Sequence, residues 1–188
     1  MTNRAAYISL IIALVTSLAD RPVAAARGDC RGLQPTSWQR EIAGADEPGE
    51  RVVVEGRVLD GDGMTPLAGI TVFVFHTDAR GHYSGEGMDE SNARLCGLVR
   101  TDAMGRYRFE TIRPAPYATG RVAAHIHYQV WGPGVRRQSF LLQFEGDPLL
   151  GERGRDASGN PVWARIRPLT LDADGVFHVE RDLHVSWL

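Results

Sequence analysis

The segment Arg51–Leu59 reads RVVVEGRVL, and the sequence DGDG follows it at Asp60–Gly63. Valine dominates this segment, and apolar and polar positions partly alternate, which favours a half-buried β-strand. Closely spaced aspartate and glycine residues are typical of a tight turn. A second apolar run, Ile70–His76, is rich in valine and phenylalanine and predicts a more deeply buried strand. These two runs indicate that the fold is built from strands.

Further strand-like runs continue along the chain, separated by turn signals. They are Leu98–Thr101, Arg106–Glu110, Ala124–Val130, Ser139–Phe144, Arg165–Leu171 and Val176–Val185. The turns at Asp102–Gly105 and Asp172–Gly175 predict hairpins between the runs on either side. Helix signals are few, and a short helix is expected at Ser37–Ala43. We therefore predict an all-β fold, an antiparallel β-sandwich with long loops at Ser84–Arg94 and Gly146–Val162.

The N-terminal residues have the pattern of a targeting segment. Arg4 precedes an apolar run, Ala5–Ala19, that is too short to span a bilayer, and Ala24–Ala26 offers a small-residue cleavage site. This pattern predicts a signal peptide at residues 1–26, an N-terminal arm at 27–50 and a β-sandwich domain at 51–188. The mature protein would then be exported, to a periplasm or to the cell exterior. An uncleaved anchor or a chance apolar terminus is the alternative.

The charge pattern gives no support for a nucleic-acid partner. The formal net charge is −2, and no basic stripe is present along the chain. Beyond the N-terminal run, no apolar segment is long enough to cross a membrane. After signal cleavage we therefore expect no membrane association and no nucleic-acid binding.

The chain contains two cysteines, Cys30 and Cys96. In an oxidising compartment two cysteines can form one bridge, and secreted proteins seldom keep free thiols. A Cys30–Cys96 disulfide would fasten the mature N-terminus to the body of the domain. Two free thiols remain the alternative.

Two histidines separated by one residue, His125 and His127, lie in a strand-like run. Residues i and i+2 of a strand point to the same face, so both imidazoles can reach one metal ion. Two tyrosines precede them, Tyr83 after a glycine-containing turn and Tyr117 in PYATG. Phenolate oxygens suit a hard, highly charged cation, so this donor set favours ferric iron over zinc or copper. Such a centre indicates oxidative chemistry on an aromatic substrate.

Several stretches, in order along the chain, resemble the intradiol ring-cleavage dioxygenases. They are ADEPGE with EGRVLD at Ala45–Asp60, PLAGI with VFHTDARGHYS at Pro66–Ser84, RTDAMGRYRF with TIRPAPY at Arg100–Tyr117, AHIH at Ala124–His127, and GDP at Gly146–Pro148. The resemblance is strongest to small exported members related to the protocatechuate and catechol dioxygenases. It implies an antiparallel β-sandwich, which agrees with the strand pattern.

The resemblance also implies a site. Tyr83, Tyr117, His125 and His127 would bind a non-haem Fe(III) ion, and a catechol-type diol would be opened by O2 between its hydroxyls to give a muconate-type diacid. Tyr117 would accept a substrate proton, and Arg121 would stabilise negative charge on the substrate. Family members often form dimers or larger assemblies, so a homo-oligomer is expected.

Two departures from the family pattern bear on the substrate. Arg121 precedes His125 by four residues instead of three, and Leu141 stands where the family often has glutamine, with Gln143 on the same strand face. Three alternatives therefore stay open. They are an iron-binding homologue without ring cleavage, a non-catalytic transthyretin-like binding module, and a copper or zinc sandwich protein. The last two give no role to a pair of tyrosine ligands.

Overall fold

The computed structural model describes residues 30–154 and 164–187, so the expected signal peptide lies outside the described residues. Short 3-10 segments occur at Cys30–Gly32, Glu90–Asn92 and Pro148–Gly154. The described strands are β1 (Gln39–Glu41), β2 (Arg51–Leu59), β3 (Thr71–His76), β4 (Leu95–Arg100), β5 (Arg106–Ile112), β6 (His125–Gly132), β7 (Val135–Phe144), β8 (Ala164–Arg167), β9 (Thr170–Leu171), β10 (Phe177–Glu180) and β11 (Leu183–His184). In these parts of the chain, no helix has the length and apolar character needed to span a membrane.

The strands form two sheets. The first has the order β1-β5-β2-β10-β9, with β11 also paired to β2, and the second has the order β4-β3-β6-β7-β8. The all-β sandwich is therefore confirmed. The pairings β2–β5, β3–β4, β3–β6 and β6–β7 are antiparallel as expected. Four other pairings are parallel, namely β1 with β5, β8 with β7, and both β10 and β11 with β2, so both sheets are mixed.

The core lies between the two sheets and consists of alternate side chains from their facing surfaces. Tyr107 and Phe109 on β5 contact Tyr128 on β6, with ring centroids 6.2 and 6.1 Å apart. Valines of β2 and β3 fill the space around these rings. His76, at the end of β3, is fully buried and joins the sheets, because its Nε2 lies 2.8 Å from Thr111 Oγ1. Burial lowers the pKa of His76 to about 4, so this histidine is neutral near pH 7.

The predicted hairpin across Asp102–Gly105 is wrong. The turn itself is present, since Asp102 Oδ1 accepts hydrogen bonds from the backbone N–H groups of Met104 and Arg106. However, β4 pairs with β3, and β5 pairs with β2, so the chain crosses from one sheet to the other at this turn. The aspartate turn depends only on residues close in sequence. The strand partners depend on which sheet buries each side chain, and Val99 on β4 and Phe109 on β5 enter the core from opposite sheets.

The predicted helix at Ser37–Ala43 is also wrong, because this segment contains β1. It pairs in parallel with β5, and Ile42 and Ala43 enter the core. The described part of the 27–50 arm thus extends the first sheet instead of lying outside it. A disulfide joins Cys30 to Cys96 on β4, with a Cα–Cα distance of 6.1 Å, and the expected pairing is confirmed.

Replacing Cys96 with serine is expected to lower the free energy of unfolding by about 4 kcal/mol, because the bridge closes a loop with a sequence separation of 66 residues. Urea denaturation of the oxidised wild type and of both single variants, Cys96→Ser and Cys30→Ser, measures this difference. The two variants should lose similar amounts, since each removes the same constraint on the unfolded chain. Wild-type stability in either variant would contradict a stabilising bridge.

Candidate metal centre

The two histidines lie on the outer face of the second sheet, where β6 begins. Odd-numbered residues of β6 point outward and even-numbered ones enter the core, so His125 and His127 share the outer face as the sequence predicts. His125 Nδ1 lies 2.7 Å from the Ala123 carbonyl oxygen. A carbonyl only accepts hydrogen bonds, so Nδ1 carries the proton and Nε2 keeps a lone pair for a metal.

Tyr83 is placed by a tight loop after β3. Asp78 Oδ1 accepts hydrogen bonds from the N–H groups of Arg80 and His82, at 2.9 and 3.0 Å. Gly81 has φ +83°, and a Cβ there would collide with the carbonyl oxygen of Pro116. Only glycine therefore allows this loop to approach the segment that carries Tyr117.

An ion-pair cluster ties the Tyr83 loop to the N-terminal arm. The guanidinium of Arg94 binds the Glu47 carboxylate in a bidentate manner at 2.5 and 2.8 Å, and it lies 3.8 Å from Asp78 Oδ2. The backbone N–H of Arg94 also donates to the Tyr83 carbonyl at 2.8 Å. Bidentate arginine–carboxylate pairs fix geometry as well as charge, so this cluster holds the Tyr83 backbone in place.

The structure brings all four expected donor atoms together. Tyr83 Oη lies 2.7 Å from Tyr117 Oη and 3.0 Å from His127 Nε2, and His127 Nε2 lies 2.8 Å from His125 Nε2. We call Tyr83, Tyr117, His125 and His127 the donor set. Elsewhere in the described ranges, no three His, Cys, Asp or Glu side chains are placed to hold one ion. A metal ion held by the two histidines would therefore need the tyrosine oxygens as further ligands.

Burial makes the donor set neutral in the absence of a cation. It raises the pKa values of the Tyr83 and Tyr117 phenols above their ordinary value. It lowers the pKa of His125, and it lowers that of His127 to about 3 with help from the neighbouring histidines. A phenol with a raised pKa ionises at neutral pH only beside a strong positive charge. The donor set therefore fits a highly charged, hard cation such as Fe(III).

Three supporting residues were not expected from the sequence. Tyr117 Oη donates to Glu90 Oε1 at 3.1 Å, and the Phe75 ring stacks on the His127 ring with centroids 4.5 Å apart and planes at 1°. Asp147 is buried and accepts from the Ala124 N–H at 2.8 Å, which fixes the start of β6. Asp147 belongs to the GDP motif, so the sequence indicates that the residue matters, but not that it binds the Ala124 N–H. No motif in the polar Ser84–Arg94 run distinguishes Glu90 from the other polar residues of that loop.

The other residues that the sequence singles out lie around the donor set and not within it. Arg121 is exposed on a bend between Tyr117 and β6, and the structure gives it no contact with the donor set. Leu141 pairs with His127, and Gln143 pairs with His125, across the β6–β7 ladder. Both side chains are half-buried on the donor-set face. A leucine thus lies opposite His127 on the neighbouring strand, and a glutamine lies opposite His125.

The chain is similar in sequence to known dioxygenases. A family model described as Dioxygenase matches residues 33–160, which is more than half of the chain. The chain belongs to the intradiol dioxygenase family. It is 33% identical over 120 residues to catechol 1,2-dioxygenase 2 of Acinetobacter lwoffii, a match that covers 55% of this chain and 43% of the relative. It is 40% identical over 114 residues to the protocatechuate 3,4-dioxygenase beta chain of Burkholderia cepacia, covering 54% of this chain and 48% of the relative.

A solved intradiol dioxygenase has the same fold. The hydroxyquinol 1,2-dioxygenase of Pseudomonas putida superimposes with a TM-score of 0.64 at 23% identity, covering 84% of this chain and 63% of that one. The chain spans about half the length of the curated family members that it matches. The family model's range, residues 33–160, includes the segments that carry the donor set.

Proposed function

We propose that this family member is a ferric dioxygenase that opens a catechol-type ring between its two hydroxyls with O2, giving a muconate-type diacid. The observation that carries the proposal is the convergence of two phenol oxygens and two imidazole nitrogens, in which each atom lies 2.7 to 3.0 Å from the next, in the order Tyr117, Tyr83, His127 and His125. The members of the donor set would bind the ion. Relatives named catechol and protocatechuate dioxygenase support the choice of substrate class.

A bound ferric ion would supply the Lewis acidity that lowers the pKa of a substrate hydroxyl and draws electron density from the ring. The two tyrosines would have different tasks, because their surroundings differ. Tyr83 is 1% exposed and its backbone is held on both sides, so its oxygen stays in place. Tyr117 is half-buried, and its oxygen already contacts Glu90 outside the donor set. Tyr117 is therefore the tyrosine whose oxygen, as the phenolate that a bound cation would favour, could turn outward and accept a substrate proton.

The histidines and Phe75 prepare the site for this chemistry. The hydrogen bond from His125 Nδ1 to Ala123 directs Nε2 towards the other donors. The stacked Phe75 ring covers one face of His127 and keeps water from it. Exclusion of water strengthens electrostatic interactions inside the site.

Export is a further part of the proposal. A disulfide supports it, because such bridges persist in oxidising compartments and are rare in the cytosol. The partners would be a small aromatic diol and O2. Assembly into a homo-oligomer is proposed from the family resemblance.

An iron-binding protein without ring cleavage is the second candidate. Leu141 beside His127 and the exposed position of Arg121 favour it, because neither residue offers the substrate a polar contact at the donor set.

One experiment separates the candidates: purify the mature protein, load it with ferric iron, and record its visible spectrum before and after adding catechol in air. Colour, a shift with catechol and a muconate product support the enzyme. A shift without product supports the second candidate, and a protein that takes up no iron excludes both.

Replacing Arg121 with alanine tests the role that the family resemblance gives to this residue. If Arg121 moves onto the bound substrate, its loss should slow catechol turnover by about 100-fold with little change in iron content, since the guanidinium would stabilise charge on the substrate. The measurement is kcat together with iron per chain. Arg136→Ala, another exposed arginine, is the matched control. An unchanged kcat in Arg121→Ala would remove this residue from the mechanism.

A further inference from the structure

A cavity of about 750 Å³ lies beside the donor set, on the outer face of the second sheet. Small-molecule sites typically enclose about 300–1,000 Å³. Its lining combines aromatic rings with a few polar and charged side chains. The lining residues that matter are Phe73, Phe75, Glu90, Gln129, Trp131 and Arg137.

The cavity borders the donor set, and two residues are common to both. Phe75 lines the cavity and also stacks on His127. Glu90 lines it as well and accepts the hydrogen bond from Tyr117. None of the four donor residues lines the cavity, so a molecule that reaches both places would pass Phe75 and Glu90 on the same face of the second sheet.

The spacing of β6 sets the length of such a molecule. His127, Gln129 and Trp131 follow one another on the outer face of the strand. A strand rises about 3.4 Å per residue, so Trp131 lies about 14 Å from His127. A single catechol ring would occupy only the end nearest the donor set, which leaves the part lined by Phe73 and Trp131 for another group.

The two ends of the cavity carry opposite charges. Glu90 lies at the donor-set end. At the far end, the Arg137 guanidinium lies 4.0 Å over the Trp131 ring, and its Nη1 donates to Gln129 Oε1 at 2.8 Å. An arginine has five N–H donors, so this one keeps others for a ligand carboxylate. Charge complementarity places an anionic group beside Arg137.

We propose that this cavity binds the distal part of an extended catechol, an aromatic ring that stacks on Trp131 and Phe73 and carries a carboxylate facing Arg137. The inference rests on the proposed function for the diol end of the molecule. It narrows the substrate class from catechols in general to two-ring phenolic acids. Phe75, between the two ends, would contact the linker between the rings.

Binding is tested first with stilbene-4-carboxylate, which has the distal ring and the carboxylate but no diol. Isothermal titration of the mature protein, with and without iron, should show binding in both states. Arg137→Gln and Trp131→Leu should each weaken binding about tenfold, the effect of losing one charged contact or one stacked ring. Arg136→Gln is the matched control, because Arg136 precedes Arg137 on β7 but does not line the cavity, and it should bind like wild type.

Turnover is then compared for catechol and for 4-(4-carboxystyryl)catechol. Arg137→Gln should raise KM about tenfold for the extended diol and leave KM for catechol unchanged. If wild type cleaves catechol but does not bind the stilbene acid, or if Arg137→Gln and Trp131→Leu bind it as tightly as wild type, the inference is wrong and the proposed function stands. If the stilbene acid binds at Arg137 and neither diol is cleaved, the proposed function is wrong, and the substrate assignment is lost with it.

Discussion

Replacing His125 with alanine is expected to reduce iron from about one ion per chain to a trace, and to remove the visible colour of the loaded protein. His125 Nε2 lies 2.8 Å from His127 Nε2, and its lone pair is directed there by the bond from Nδ1 to the Ala123 carbonyl. Removing a residue that only hydrogen-bonds a metal ligand weakens metal affinity by about 10–100-fold. Removing the ligand itself should therefore weaken iron binding by more than about 100-fold.

The measurement is iron content after reconstitution with ferric iron and removal of excess metal, together with the visible spectrum. His184→Ala is a suitable control, because His184 is exposed on β11 in the other sheet. It should bind iron like wild type. An alanine variant at His125 that keeps full iron and colour would show that the donor set is not the metal centre.

The protein should remain folded when His125 is lost, so the effect can be assigned to the metal. His125 lies on the outer face of β6, whereas its neighbours Ile126 and Tyr128 provide the core contacts. The ladder between β6 and β7 uses backbone groups that alanine retains. An unchanged unfolding midpoint of the apo variant would confirm this separation.

Strand positions could be predicted where one residue pattern decided them. Arg51–Leu59 was predicted with the bounds that β2 has, because a valine-rich run ends at an aspartate–glycine turn. Strand partners could not be predicted, as Asp102–Gly105 shows. The aspartate turn forms in a hairpin and in a crossing between sheets alike, and the choice depends on contacts between residues far apart in sequence.

In the candidate site, too, residues in motifs could be predicted, whereas contacts between residues far apart in sequence could not. The donor set was identified because each member lies in a motif and two of them share one strand face. Glu90 was missed because its contact with Tyr117 spans 27 residues and depends on a loop without a regular pattern. The cavity was also not predictable, since it is formed by β3, β4, β6 and β7 together with the segments at Cys30 and at Glu90.

Replacing Tyr117 with phenylalanine is expected to lower kcat for catechol by about 100- to 10,000-fold, the usual range for loss of a general acid–base group. The protein should keep most of its iron, because three donors remain. The ring itself packs against Tyr83 and His125, with centroids 5.7 and 5.1 Å away, and phenylalanine preserves those contacts. Only the oxygen that contacts Glu90 and Tyr83 is removed.

Tyr83→Phe is the informative comparison, because the two tyrosines differ in burial and not in chemistry. Tyr83 is enclosed and its oxygen contacts both Tyr117 and His127, so its loss should release more iron than the loss of Tyr117. Iron per chain, the visible spectrum and kcat are measured for both variants. If Tyr117→Phe turns over catechol at the wild-type rate, the proton acceptor is another group. If the two variants lose iron equally, the mobile role of Tyr117 is contradicted, since that role requires the metal to be held mainly by the other three donors.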